Sequence, residues 1–181
     1  MEVNRIYNEN CLDTMARMPD GFVDLVVTSP PYNMRTRIRD GQYTTRERGD
    51  HFSKKYAHFG DDLPIVEFYQ FHRNAIKEMI RISPIVLYNI QSVTGSKEAF
   101  FKLIGTFRRH IKDVISWDKG CGQPAMHSKV LNASHEFILV MESSGEAGRA
   151  IKHSYFQRGE LSNNWKVSRG PFVQTAGHNA S

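Results

Sequence analysis

The chain has 181 residues, of which 40% are hydrophobic, 11% aromatic and 24% charged. That balance supports one folded domain, or two small ones, and excludes wholesale disorder. No apolar run approaches the ~18 residues that cross a bilayer, and residues 1–5 lack the basic start and apolar stretch of a secretory leader. The 24 basic and 19 acidic residues leave a net charge of +5, a lean towards polyanionic partners. Cys11 and Cys121 spell neither a disulfide framework nor a CxxC motif, which fits a reducing, cytoplasmic setting.

In chain order, a strand is expected at 3–7 and a short helix at 11–18, closed by the turn signal Pro19-Asp20-Gly21. Phe22 to Val27 is a β-branched apolar run that reads as a buried strand. Pro30 and Pro31 end it, because two prolines cannot continue a ladder. Residues 33–60 follow no helical or strand period and read as a functional or disordered loop. Asp62 as cap, Pro64 in the first turn and Glu67 then open a helix. Ile65, Phe68, Tyr69, His72, Ile76, Met79 and Ile80 recur along it at helical spacing, and Ser83-Pro84 stops it. A buried strand at 85–90 precedes a helix from Ser96 with Phe100, Leu103, Ile104 and Phe107 on one face. Strands follow at 114–117, turned by Asp118-Lys119-Gly120, and at 136–141. No internal repeat is visible.

Strands alternating with helices predict an α/β fold with a largely parallel sheet. Ligands in such sheets sit beyond the carboxyl ends of the strands. Ser29-Pro30-Pro31-Tyr32 stands at such an end, and its bland reading is a proline turn that closes a strand. The chain divides into residues 1–142, an α/β unit carrying the 33–60 loop, and residues 143–181, a polar and basic tail broken by Gly145, Gly148, Gly159 and Gly170.

The segment Asp24-Leu25-Val26-Val27-Thr28-Ser29-Pro30-Pro31-Tyr32-Asn33 resembles the catalytic motif of the DNA amino-methyltransferases, which is an Asp, Asn or Ser followed by Pro-Pro and an aromatic. Flanking segments agree. Ile6 to Leu12 is similar to the family's lead-in, although the usual Gly-Asp is Glu9-Asn10 here. Ser134 to Val140 resembles a later strand, and Gly177 to Ser181 resembles the start of the segment before the cofactor glycine loop. The order is that of the permuted beta class, with the catalytic half first.

The resemblance implies a Rossmann-like fold dependent on S-adenosylmethionine and methylation of the exocyclic nitrogen of cytosine (N4) or adenine (N6). An exocyclic amino group is a poor nucleophile because its lone pair is delocalised into the ring. Two acceptors aimed at its hydrogens favour a pyramidal nitrogen with an available lone pair. By resemblance these are the Ser29 side chain and the Pro30 carbonyl, with Pro31 restricting the backbone and Tyr32 stacking on the extruded base. The methyl group then passes directly from sulfonium to nitrogen. Ser29, a neutral acceptor, is weaker than the aspartate of many relatives and tips the target towards cytosine. Asn10, Cys11 and His178 fall where the family contacts its cofactor. A restriction-modification or phage setting is a further implication.

The family's Phe-x-Gly-x-Gly turn is not found; Gly120-Cys121-Gly122 lacks the aromatic before it and the small-residue helix after it. In the permuted order the turn would follow His178. The expected fold is therefore incomplete, with substrate-side strands only. An open sheet edge and apolar face are expected, together with a homodimer or a second chain carrying the glycine loop. An inactive DNA-binding or interaction module, half of a split methyltransferase, and an enzyme acting on RNA or protein amides are the competing readings.

Double-stranded DNA is the expected partner, with no membrane contact. Residues 33–60 carry Arg35, Arg37, Arg39, Arg46, Arg48, Lys54 and Lys55 against three acidic residues, a pattern suited to phosphates or to a solvated loop. Lys152, His153, Arg158, Lys166 and Arg169, interleaved with Tyr155, Phe156 and Trp165, make the tail a candidate target-recognition segment or a frayed terminus. Cys121, His127 and His135 match no common zinc spacing, so no metal is expected. Asn89 lies where it could line a substrate cleft, although packing or a turn is the favoured role.

Overall fold

The computed structural model describes residues 2–33, 38–39, 42–43, 63–93, 95–123, 129 and 131–166. The elements are α1 (Cys11–Ala16), β1 (Leu25–Thr28), β2 (Ile38–Arg39), β3 (Gln42–Tyr43), α2 (Ile65–Ile82), β4 (Ile85–Ile90), α3 (Lys97–Phe107), β5 (Ile111–Gln123), β6 (Ala133–Glu142) and β7 (Asn164–Lys166). Among the described residues five strands form one sheet in the order β1-β4-β6-β5-β7, and β2 pairs with β3 in a second.

The β1–α2–β4 crossover makes a parallel pair, Leu25 opposite Ile85 through Thr28 opposite Tyr88. β6 runs antiparallel to both β4 and β5, and β7 is parallel to β5. Four of the five strands thus run one way, and β6 is inserted against them between β4 and β5. Strand–helix alternation anticipates the parallel set. It does not anticipate β6, because β5 and β6 follow one another without a helix and can pair directly.

Alternation along β4 buries Val86, Tyr88 and Ile90 against Phe68, His72, Ala75, Ile76 and Met79 of α2 and Phe100 and Leu103 of α3. Met15 of α1 and Leu139 and Met141 of β6 complete this core on one face of the sheet. The period-2 pattern of the strands and the 3.6 period of α2 and α3 meet there.

Several local expectations change. Residues 3–7 form no strand, and Val3 and Ile6 stand exposed. β1 begins at Leu25 and is not fully buried, since Leu25 is 48% and Val27 68% exposed on an edge that pairs only with β4 among the described residues. Pro64 is the N-cap of α2, two positions after the expected cap Asp62, which lies outside the described residues. β5 continues through Asp118-Lys119-Gly120. A register shift falls between Asp118 and Gln123, where Gly120 takes φ +75° and its N–H bonds Asp118 Oδ1 at 2.9 Å. The turn residues therefore make a bulge instead of an end.

The described part of the tail is attached. Ser116 N–H bonds the Asn163 carbonyl at 2.8 Å beside β7. Glu142, fully buried, accepts the N–H of Lys152 at 2.6 Å and of His153 at 3.3 Å, with Lys112 Nζ 3.7 Å away. Burial pushes the Glu142 carboxyl up, but those N–H groups, Ser144 and Lys112 outweigh it and hold the group below its usual range.

His72 is wholly buried, shares a hydrogen bond with the Tyr88 hydroxyl, and is pushed down to about 4 by burial, against a smaller opposing effect of the Pro31 carbonyl. Its folded value lies below its unfolded value of 6.5, so its contribution is complete above pH 6.5 and is lost as pH falls towards 4. The expected loss is about 3 kcal/mol over that window. Urea midpoints measured between pH 7 and pH 4 should fall less steeply for His72→Gln than for the unaltered chain.

Candidate active site

Ser29-Pro30-Pro31-Tyr32 follows β1 at the carboxyl end of the parallel pair. Asn89 lies near the end of β4, and Glu136 near the start of the antiparallel β6, so all three reach the same edge of the sheet. β5 brings Trp117 opposite Glu136, and Lys119 follows two residues later.

Asn33 fixes the motif to this edge. It is fully buried, adopts φ +55°, and donates from Nδ2 to the carbonyls of Leu63 at 2.9 Å and Gly95 at 3.1 Å. Asparagine tolerates the left-handed conformation, and its amide ties the chain after β1 to the segments leading into α2 and α3.

Four side chains converge in front of it. Ser29 Oγ and Tyr32 OH are 2.9 Å apart, and Tyr32 OH donates to Glu136 Oε2 at 3.0 Å. Asn89 Nδ2 donates to Tyr32 OH and to Glu136 Oε2, both at 2.8 Å, and lies 3.4 Å from Ser29 Oγ. Lys119 Nζ donates to Glu136 Oε1. Burial pushes the Glu136 carboxyl up, yet hydrogen bonds from Lys119 and Asn89, the Lys119 charge and the Tyr32 hydroxyl together hold it below the usual glutamate range. A buried, ionised carboxylate therefore backs an exposed serine hydroxyl.

α1 packs against α2 and starts near Tyr88. Asn10 caps it by accepting the Leu12 N–H at 3.0 Å, and Cys11 is near enough to Tyr88, as is Tyr32, to raise the tyrosine's pKa after the dominant effect of burial. The amide oxygen of Asn10 is thus engaged, and Gly120-Cys121-Gly122 lies inside β5 rather than after a strand. The described residues do not by themselves make a cradle for S-adenosylmethionine.

Of the residues expected from sequence, Ser29, Pro30, Pro31 and Tyr32 come together here, and Asn10 and Cys11 lie at the start of α1. Arg39 is in β2, while Arg35, Arg37, Arg46, Arg48, Lys54, Lys55 and His178 fall outside the described residues. Among the described residues no cluster of three or more His, Cys, Asp or Glu could hold a metal ion, and no helix is long and apolar enough to cross a membrane. Sequence reasoning underrated Asn89 and missed Glu136, Lys119 and Asn33. Glu136 carried one available signal, a charge at the head of the apolar run 137–141.

Fold and site define an α/β protein with a hydrogen-bonded polar cluster at the carboxyl ends of its parallel strands. The DNA methylase family (N6_N4_Mtase) matches residues 23–178, and the chain belongs to that family. Membership implies S-adenosylmethionine as methyl donor in general. Among solved structures the chain is similar to PvuII DNA methyltransferase, which is cytosine-N4-specific, with a TM-score of 0.57 and 11% identity over 95% of this chain and 58% of that one. It also matches a provisionally assigned DNA modification methylase from Thermus thermophilus, with a TM-score of 0.45 and 17% identity over 74% and 50% of the two chains. The first likeness supports the incomplete methyltransferase fold, and this chain spans about half the length of those proteins. No curated protein sequence matches it.

Asn33→Gly keeps the backbone conformation and loses both side-chain bonds, an expected cost of about 2 kcal/mol. Asn33→Ala adds the strain of a positive φ, about 1 kcal/mol more. Chemical denaturation of the two variants should give that order.

Proposed function

We propose that this chain is the amino-acceptor half of a DNA methyltransferase acting on the exocyclic nitrogen of cytosine or adenine. One observation carries the reading: Ser29, Tyr32, Asn89 and Glu136 form a hydrogen-bonded cluster at the carboxyl ends of β1 and β4. Ser29 Oγ and the Pro30 carbonyl accept the amino hydrogens, and Tyr32 presents its ring to a base turned out of the duplex. The neutral Ser29 favours cytosine N4 over adenine N6.

Asn10, Cys11 and His178 border the methyl donor. The rest of its cradle comes from a glycine-loop segment, supplied by a second chain or a second copy, that adds to the open edge of β1, where Leu25 and Val27 are exposed. Arg35, Arg37, Arg39, Arg46, Arg48, Lys54 and Lys55 contact phosphates, and the basic tail contributes to target recognition.

The test is transfer of tritium from labelled S-adenosylmethionine to unmethylated genomic DNA, by the chain alone and with a polypeptide carrying a Phe-x-Gly-x-Gly turn. N4-methylcytosine is the expected product by mass spectrometry, and Ser29→Ala is expected to slow its formation about a hundredfold. DNA binding without transfer under either condition would make the chain a binding module instead.

Replacing Arg35, Arg37 and Arg39 by alanine should weaken DNA binding similarly for all sequences. It should also flatten the salt dependence by about two to three units of log–log slope in fluorescence anisotropy.

A further inference from the structure

We propose that Glu136 is a positioning residue that fixes which way the Ser29 hydroxyl points, acting through Tyr32. The inference rests on the methyltransferase reading and concerns how a neutral serine becomes an effective acceptor there.

The direction of each hydrogen bond follows from the inventory of protons. An ionised carboxylate only accepts. Tyr32 has one hydroxyl proton, and it is directed at Glu136 Oε2, 3.0 Å away. Towards Asn89 Nδ2 at 2.8 Å and Ser29 Oγ at 2.9 Å the Tyr32 oxygen then has no proton to give and accepts. Ser29 must therefore donate its own proton inwards to Tyr32. Both lone pairs of Ser29 Oγ are left for the exposed side, where a base amino group would arrive.

Asn89 enforces the same polarity. Reversing its amide would set Oδ1 against the carboxylate at 2.8 Å, so Nδ2 must face Glu136. Its two N–H groups are occupied by Tyr32 and Glu136, which leaves the 3.4 Å approach to Ser29 as a weak contact. Lys119 on β5 holds the other carboxylate oxygen, keeping Glu136 ionised at 7% exposure.

A lone serine hydroxyl would rotate freely and would present its proton to the substrate part of the time. The chain Ser29→Tyr32→Glu136 removes that orientation. It also polarises Ser29 Oγ, because hydrogen bonds in series strengthen one another. A buried negative charge two hydrogen bonds away thus supplies part of what a directly placed carboxylate would supply.

Two variants break the chain at different links. Glu136→Gln keeps the shape but can point a donor at Tyr32. Tyr32→Phe keeps the ring and the Glu136–Lys119 pair but removes the middle link, so it guards against a folding defect in the first. Each is expected to lower single-turnover methyl transfer about 10- to 100-fold with an unchanged KM for DNA. The double variant should be no slower than the slower single one, as expected for residues acting in one chain.

A second readout needs no methyl donor. In a chain labelled with carbon-13 at tyrosine Cζ, the Tyr32 resonance should move upfield in Glu136→Gln. A rate within about twofold of the unaltered chain in either variant, losses that multiply in the double variant, or an unmoved Cζ resonance would overturn the proposal. If the unaltered chain transfers no methyl group at all, the functional reading fails, and the resonance alone still decides whether Glu136 directs Tyr32.

Discussion

The carboxylate of Glu136 is the point on which the edge of the sheet is organised. It is buried where β4, β5 and β6 meet, and it takes hydrogen bonds from Tyr32, Asn89 and Lys119, which come from three different parts of the chain. A buried charge is costly unless paired and bonded. The fold meets that cost with one cation and two neutral donors, and the same bonds place the Tyr32 ring and the Ser29 hydroxyl. Reversal of β6 makes this geometry available: an antiparallel strand begins where its parallel neighbours end, so its first residues join their last ones.

Underneath, the core supports the motif from the opposite face. Tyr88 points inwards to His72 while Asn89, one residue later, points to Tyr32 and Glu136. The alternation of β4 thus links packing and chemistry in consecutive residues. Asn33 closes the arrangement by bonding the carbonyls of Leu63 and Gly95, ahead of α2 and α3. Those bonds fix the course of the chain just beyond Tyr32.

Much of the fold was legible because it rests on local periodicity. The spacing of Phe68, His72, Ile76 and Met79 announces α2, and the apolar run 85–90 announces β4. Ser-Pro-Pro-Tyr after an apolar run was legible as a site because two prolines after a strand are rare and constraining. The insertion of β6 was not legible, since no local pattern encodes which strand pairs with which. Glu136 was missed for the same reason: its partners lie 17, 47 and 104 residues away in the chain. Asp118-Lys119-Gly120 has turn composition, yet the pairing with β6 absorbs it as a bulge.

The central claim is that the Ser29–Tyr32–Asn89–Glu136 cluster receives an exocyclic amino group. The most direct test follows the Tyr32 Cζ resonance and the backbone amides of residues 29–33 while deoxycytidine, deoxyadenosine and thymidine monophosphates are added to the chain. Saturable shifts with the two amino-bearing nucleotides, larger for cytidine, absent with thymidine and abolished by Ser29→Ala, are the predicted result. Equal shifts with all three, or shifts indifferent to Ser29→Ala, would contradict it.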